Sequence, residues 1–174
     1  QADAHIIYVI AYPFITDLDA VLKAHPAASW GRYDKRLKIG GVKITVDGSP
    51  QGRTAFFTTP YLVDGPNGEK NWWGELPFSQ DVVNGWLKQV YDMNLPVLVH
   101  ANGDAAIDVL LRAHEFAAAE SPDKDRRTTV IHSQFVRPDQ LDKYVAYKFI
   151  PALFTEHTFY FGDTHVRQRG KEQA

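Results

Sequence analysis

Leu95-Pro96-Val97-Leu98-Val99 closes on His100, and Thr128-Thr129-Val130-Ile131 closes on His132. Both runs have the length and β-branched content of strands buried on two faces, as in a parallel sheet. Each gives way to small or polar residues and then to a helical pattern, so both imidazoles stand at the carboxyl ends of strands. In α/β proteins that edge is where ligands and reacting groups collect.

Outward from these two runs the same rhythm repeats. Ser79 is a helix cap ahead of Val82, Val83, Trp86, Leu87, Val90 and Tyr91, which follow helical spacing until Asn94. Asp104 is the expected cap of a helix from Ala105 to Ala119, with Ile107, Leu110, Leu111 and Ala118 on its buried side. Pro138 opens another helix, with Leu141, Tyr144 and Val145 on one face, and Phe149 to Phe154 is a final strand. On the amino-terminal side, Ile6 to Tyr12 reads as a strand, Thr16 as the cap of a helix from Asp17 to His25, and Val42 to Val46 as a strand entering the Asp47-Gly48-Ser49-Pro50 turn. The pattern is α/β: parallel strands alternating with helices in about five βα units. No shift in composition marks a second domain, so residues 1–174 read as one.

Length and composition narrow the function. The chain has 174 residues, 44% of them hydrophobic, enough for one core but fewer than the roughly 250 of a complete eight-unit TIM barrel. An incomplete barrel is the expectation. With 19 basic and 21 acidic residues and no basic stripe, nothing points to nucleic acid or an anionic membrane, and no stretch is apolar for long enough to span a bilayer. A small-molecule substrate suits this balance. Cysteine is absent, which removes disulfides and thiolate metal sites. The chain opens on Gln1, which suggests a piece of something longer. Residues 51–78 carry glycines, prolines and the aromatics Phe56, Phe57, Tyr61, Trp72 and Trp73 without a sustained period, and are expected to form a packed lid.

Two imidazoles one βα repeat apart belong to adjacent strands, where they can share a metal ion; neutral imidazole is a common zinc ligand. Either histidine alone reads equally well as a hydrogen-bonded residue at a strand end, and the pair favours metal. Lys43 lies in the Val42–Val46 strand, out of phase with its core-like neighbours. An apolar setting would let its amine lose a proton and act as a nucleophile or react with carbon dioxide; the plainer reading is a solvent-facing lysine. His5, His25 and His114 are poorly placed for a ligand.

Four segments occur in order: Gly41-Val42-Lys43-Ile44-Thr45-Val46-Asp47-Gly48-Ser49-Pro50-Gln51-Gly52-Arg53-Thr54-Ala55, His100-Ala101-Asn102-Gly103-Asp104-Ala105-Ala106-Ile107-Asp108, Ile131-His132-Ser133-Gln134, and His157-Thr158-Phe159-Tyr160-Phe161-Gly162-Asp163. The series resembles the amidohydrolase superfamily, in particular its amidohydrolase family 3 branch with the N-substituted formamide deformylase-like enzymes. The resemblance implies strands three to seven of a TIM barrel carrying one or two divalent metals, most simply zinc. It implies Lys43 as a metal ligand, open to carboxylation, with His100 and His132 as the ligands of the next two strands. Substrate contacts are expected from His157, Asp47 and Arg53, with His165 a further candidate. The implied chemistry is hydrolysis of an amide or other C–N bond by metal-activated water.

The chain departs from the family pattern twice. It contains no His-x-His pair, and it ends at Ala174 before an eighth strand could bring the general-base aspartate, for which Asp163 is no substitute. The expectation is therefore a fragment inactive by itself, with open sheet edges that invite homo-oligomerisation. Two other readings stand beside it: a non-catalytic ligand-binding or interaction module, and a related metal-dependent phosphoester or lactone hydrolase.

Overall fold

The computed structural model describes residues 5–173, so the outermost limits of the single-domain reading fall outside it. Six strands and five helices follow one another: β1 (Val9–Ala11), α1 (Leu18–Ala24), β2 (Leu37–Ile39), β3 (Val42–Thr45), α2 (Gln80–Asp92), β4 (Val97–Ala101), α3 (Asp104–Ala117), β5 (Thr129–His132), α4 (Pro138–Tyr147), β6 (Ile150–Ala152) and α5 (Glu156–Arg169). Strands β3, β4, β5 and β6 form one parallel sheet in that order, and β1 pairs with β2 in parallel.

The two sheets join through a one-residue slip in register. Val9 to Ala11 pair in step with Leu37 to Ile39, and the pairing then slips by one residue before Phe14 bridges Lys43, whose N–H donates to the Pro13 carbonyl at 2.8 Å. The slip falls at Gly40-Gly41, so β2 and β3 act as one strand interrupted by a bulge. A Cβ on Gly41 would sit 2.3 Å from the Pro96 carbonyl oxygen, the same oxygen that accepts from Val42 N–H at 2.9 Å. Only glycine allows that approach. Five parallel strand positions result, each followed by a helix, and the sheet does not close: this is a partial TIM-barrel-like α/β fold.

Helices α2 and α3 cover one face of the sheet. Ser79 caps α2 by accepting from Val82 N–H, and Val83, Leu87, Val90 and Tyr91 form its buried stripe. From α3, Ala106, Ile107, Leu110 and Ala113 join the strand residues Val42, Ile44, Val97, Val99 and Val130 in one core. Helix α4 starts with Pro138, and the Gln140 side chain reaches back to accept from Arg137 N–H at 2.9 Å. All three residues of the edge strand β6 are exposed. No helix among the described residues is long and apolar enough to cross a membrane.

Several sequence expectations shift. The strand expected over Ile6–Tyr12 contracts to Val9–Ala11, because Ile6 to Tyr8 lie in solvent and have no core to enter. The helix expected from Asp17 begins at Leu18 behind a short 3₁₀ turn over Ile15–Asp17, and the Thr16 cap is not used. Strand β2, Leu37–Ile39, has no counterpart among the expected elements. Asp104 opens α3 rather than capping it, Gly103 taking the cap position. The final strand contracts to Ile150–Ala152, and the His157–Asp163 segment lies within α5.

Residues 51–78 form no helix or strand but are packed. Ala55, Phe57 and Tyr61 make a second small core with Val63, Trp72 and Phe135. Backbone bonds from Phe57 N–H to Trp73 O (2.8 Å) and Tyr61 N–H to Trp72 O (2.7 Å) fold the segment on itself. Arg169 of α5 fastens it to the barrel wall, donating to the carbonyls of Thr59 (3.1 Å) and Pro60 (2.9 Å) while its guanidinium stacks on Phe57.

Candidate metal centre

Strand alternation separates two faces. Val42, Ile44, Val46, Val97, Val99 and Ala101 are buried toward the helices, whereas Lys43, Thr45, Leu98 and His100 occupy the opposite, half-buried face. Thr45 registers beside His100, so β3 and β4 present Lys43 and His100 on the same side. His132 registers beside Ala101, and simple alternation would send its ring toward the helices. The backbone prevents this. His132 and the following Ser133 both adopt left-handed conformations (φ 73° and 49°), and the imidazole lies edge-on to His100 with ring centres 4.9 Å apart. Positive φ is uncommon outside glycine and collects at functional sites.

That spacing suits a shared ion. Two imidazoles bound to one zinc through nitrogens at about 2.0–2.1 Å, at a tetrahedral angle, place their ring centres about 5 Å apart. The Nδ1 of His132 and the Nζ of Lys43 are both buried without a hydrogen-bond partner, an arrangement costly enough to call for one. His100 Nε2 lies 3.0 Å from the Gly48 carbonyl oxygen. That oxygen can only accept, and the Asn102 amide nitrogen, also 3.0 Å from Nε2, donates to the same oxygen at 2.8 Å; a ring proton on Nε2 satisfies this arrangement and leaves the Nδ1 lone pair open. Ligating histidines commonly donate their other N–H to a carbonyl in this way.

Protonation states agree. Burial, reinforced by His100, His157 and Lys43, pushes the His132 imidazole down to about 4, and burial lowers His100 as well, so both are neutral near pH 7. Burial brings the Lys43 amine down to about 8 against the pull of Asp47, which makes its neutral form accessible. Among the described residues no three His, Cys, Asp or Glu side chains converge on one point. The donor set here is two imidazoles and one lysine; it fits a divalent ion only as part of a ligand shell.

Asp47, a substrate-contact candidate in the sequence, is buried beneath the imidazole face, its Oδ1 3.6 Å from His100 Nε2. It is 1% exposed, and its carboxylate accepts from Asn102 N–H (3.0 Å), Gly103 N–H (2.9 Å) and Phe56 N–H (3.0 Å). It thereby ties the ends of β3 and β4 to the aromatic loop. Burial raises its pKa to about 7, opposed by those three donors. Arg53 donates to the Asp64 carbonyl at 2.9 Å, and none of its hydrogen bonds reaches the imidazoles. His157 continues the row, its ring centre 5.4 Å from that of His132. His165 is buried behind it and touches the Gln134 amide at 3.2 Å. His132, His157 and His165 line one cavity of about 320 Å³ with Leu153 and Phe154.

Two supporting groups were not foreseen. Asn102 donates to the Gly48 carbonyl at 2.8 Å and so fixes the acceptor used by His100. Its place two residues after a strand-end histidine was the available signal. Arg137 pairs with Asp108 through both terminal nitrogens (3.1 and 2.9 Å) and with Asp104 at 3.1 Å, locking α4 to α3. Asp104 also accepts from Thr58 N–H at 2.9 Å. Nothing in the local sequence announced that network.

A half-open barrel with ligand-competent groups at its strand ends defines a class, and comparison with known proteins places the chain within it. Residues 12–174 match the Amidohydrolase family, to which the chain belongs. It is similar to two hydrolases of known structure described as uncharacterized and metal-dependent. That from Pyrococcus furiosus is 32% identical with a TM-score of 0.73, covering 95% of this chain and 32% of that one. The one from Pyrococcus horikoshii OT3 is 29% identical, also with a TM-score of 0.73, covering 96% and 31%. Among curated proteins it is 28% identical to Protein LONG AFTER FAR-RED 3 of Arabidopsis thaliana over 79% of this chain and 23% of the relative. It is also 28% identical to the putative amidohydrolase YtcJ of Bacillus subtilis, over 76% and 24%. The chain thus spans about a quarter of the curated relatives and about a third of the solved ones.

Proposed function

We propose that this chain is the ligand-bearing middle of a metal-dependent hydrolase acting on amide or other C–N bonds, with Lys43, His100 and His132 as its share of the metal ligands. The observation that carries this is the edge-on pair of neutral imidazoles at 4.9 Å beside a lysine amine with no partner. A bound divalent ion, most simply zinc, would polarise a carbonyl and acidify water near neutral pH. The chain's own residues prepare that chemistry. The Gly48 carbonyl orients His100, the left-handed turn at His132 brings the second ring alongside, and Asp47 holds both strand ends to the loop. The depressed Lys43 amine is suited to carboxylation, in which the neutral nitrogen adds to carbon dioxide, loses a proton and becomes an anionic carbamate. His157 lines the adjoining cavity as a contact for the substrate carbonyl or leaving group. Because two imidazoles and one lysine make an incomplete shell, the 174-residue chain alone is proposed to be without turnover.

Metal analysis of the purified chain after zinc loading and desalting tests this reading. Retained zinc, lost in His100→Ala and His132→Ala proteins that keep their circular dichroism, supports it. A folded chain that retains no zinc, or retains it equally in both variants, overturns it.

A further inference from the structure

A second cavity, of about 540 Å³, opens between the aromatic loop and α5 and contains none of the proposed metal ligands. Its lining comprises Gln51, Arg53, Val63, Phe161, Arg167 and Gln168, with Thr164 between the last turns of α5. Two guanidinium groups on one cavity repel each other unless an anion lies between them. Neither has a carboxylate partner among the described residues. Arg53 spends a donor on the Asp64 carbonyl, while the Asp64 carboxylate is taken by Lys70 at 2.5 Å. Glu69, which feels the charge of Arg53, takes its hydrogen bonds from Asn67.

The remaining walls narrow the ligand. Val63 and Phe161 are apolar, and Phe161 is 38% exposed. Gln168 is buried, and its amide nitrogen donates to the Gln51 carbonyl at 3.4 Å across the same wall. A hydrated inorganic ion would leave the apolar wall unused. Phe161 also stands 6.0 Å from the His157 ring, so this cavity and the imidazole cavity share a wall of α5.

We propose that this cavity binds the carboxylate end of a small organic acid, with Arg53 and Arg167 clamping the anion and Val63 and Phe161 holding its apolar body. Guanidinium groups match carboxylates in shape as well as charge, and a charge-assisted bond in a cleft is worth more than one at an open surface. The site stands whether or not the chain binds metal, since it shares no ligand with the imidazole pair.

The test is calorimetric titration of the complete chain, held free of metal by chelator, with phenylacetate, with its neutral analogue phenylacetamide and with inorganic phosphate. Saturable phenylacetate binding is expected, weakened about tenfold in each of Arg53→Gln and Arg167→Gln, which is the loss of one charge-assisted bond. Phenylacetamide and phosphate should both bind more weakly. No saturable phenylacetate binding, binding unchanged in both variants, or equal binding of phenylacetamide would overturn the proposal, and phosphate binding as tightly would overturn its assignment to carboxylates. Arg167 is exposed, so Arg167→Gln should keep the wild-type melting temperature; Arg53→Gln also gives up the bond to the Asp64 carbonyl, and its binding is compared at a temperature where circular dichroism shows it folded. Zinc retention should be unaffected, so this site and the metal reading can fail separately.

Discussion

The two faces of the β3–β4–β5 sheet come from the same short strands and do opposite work. On the helix-covered face, Val42, Ile44, Val99 and Val130 are wholly buried among α2 and α3. On the other, Lys43 and His100 are half-buried, and Lys43 Nζ and His132 Nδ1 lack partners. One face is satisfied and the other is not. Packing energy from the first face can hold polar groups on the second in positions that they would not adopt alone, which is how a rigid scaffold supports a strained site.

The largest separation between the faces should appear in truncations. Leu110→Ala, on the covered side, empties a fully buried position and should cost about 2–5 kcal/mol by chemical denaturation. Leu98→Ala, half-exposed on the open side, should cost about 1 kcal/mol. Equal losses would show that the open face is packed against something and would break the comparison.

Asp47 comes next, because it joins the two faces. Asp47→Ala strands three buried N–H groups, those of Phe56, Asn102 and Gly103, and should cost about 3 kcal/mol. Asp47→Asn keeps one acceptor oxygen and should cost less. A loss below about 1 kcal/mol for the alanine variant would remove Asp47 from its role as the tie between strand ends and loop.

How much of this could be read beforehand follows from the range over which each signal acts. The runs ending in His100 and His132 were legible because they are nearly continuous in apolar residues, although only the helix-facing side of each is fully buried. That Lys43 points away from Val42 and Ile44 followed from simple alternation, whereas its sharing a face with His100 depends on the β3–β4 register. Strand β2 was not legible: Leu37-Lys38-Ile39 is three residues long and is a strand only because Val9–Ala11 lies beside it. The orientation of His132 was hidden for another reason, since a left-handed turn at a non-glycine residue reverses what alternation predicts. Asp47 looked like a turn residue, and its true partners lie across the chain at Phe56, Asn102 and Gly103. Arg53 had the right chemistry for a ligand contact, but only the fold places it on one cavity with Arg167 and away from the imidazoles.

The third test concerns a histidine on the satisfied side. His114 is buried in α3, its Nδ1 lies 2.9 Å from the Tyr91 hydroxyl, and its ring stacks on Tyr147. Burial, aided by Arg126, depresses it to about 4. Its folded value is below that of the unfolded chain, near 6.5, so the unfolded state binds the proton first as pH falls. Stability from this residue is therefore complete above about pH 6.5 and is lost between there and about pH 4, by about 2 kcal/mol after discounting for residual solvent. Comparing urea midpoints at pH 7 and pH 5 in wild type and His114→Leu checks it. If the wild-type decline is no steeper than that of the variant, His114 is not held neutral by the core.

The smallest effect should be the most informative about the open face. Lys43→Met replaces an amine that has no hydrogen-bond partner with an apolar chain of similar length. A buried polar group without a partner costs free energy, and removing one is often neutral or stabilising. Stability should therefore change by less than about 1 kcal/mol in either direction, while zinc retention falls. A lysine serving the fold would show the reverse: a clear loss of stability with metal retention unchanged. The contrast with Leu110→Ala then becomes quantitative, for a helix substitution against the covered face and a strand substitution on the open one would separate what holds the sheet together from what the sheet holds in place.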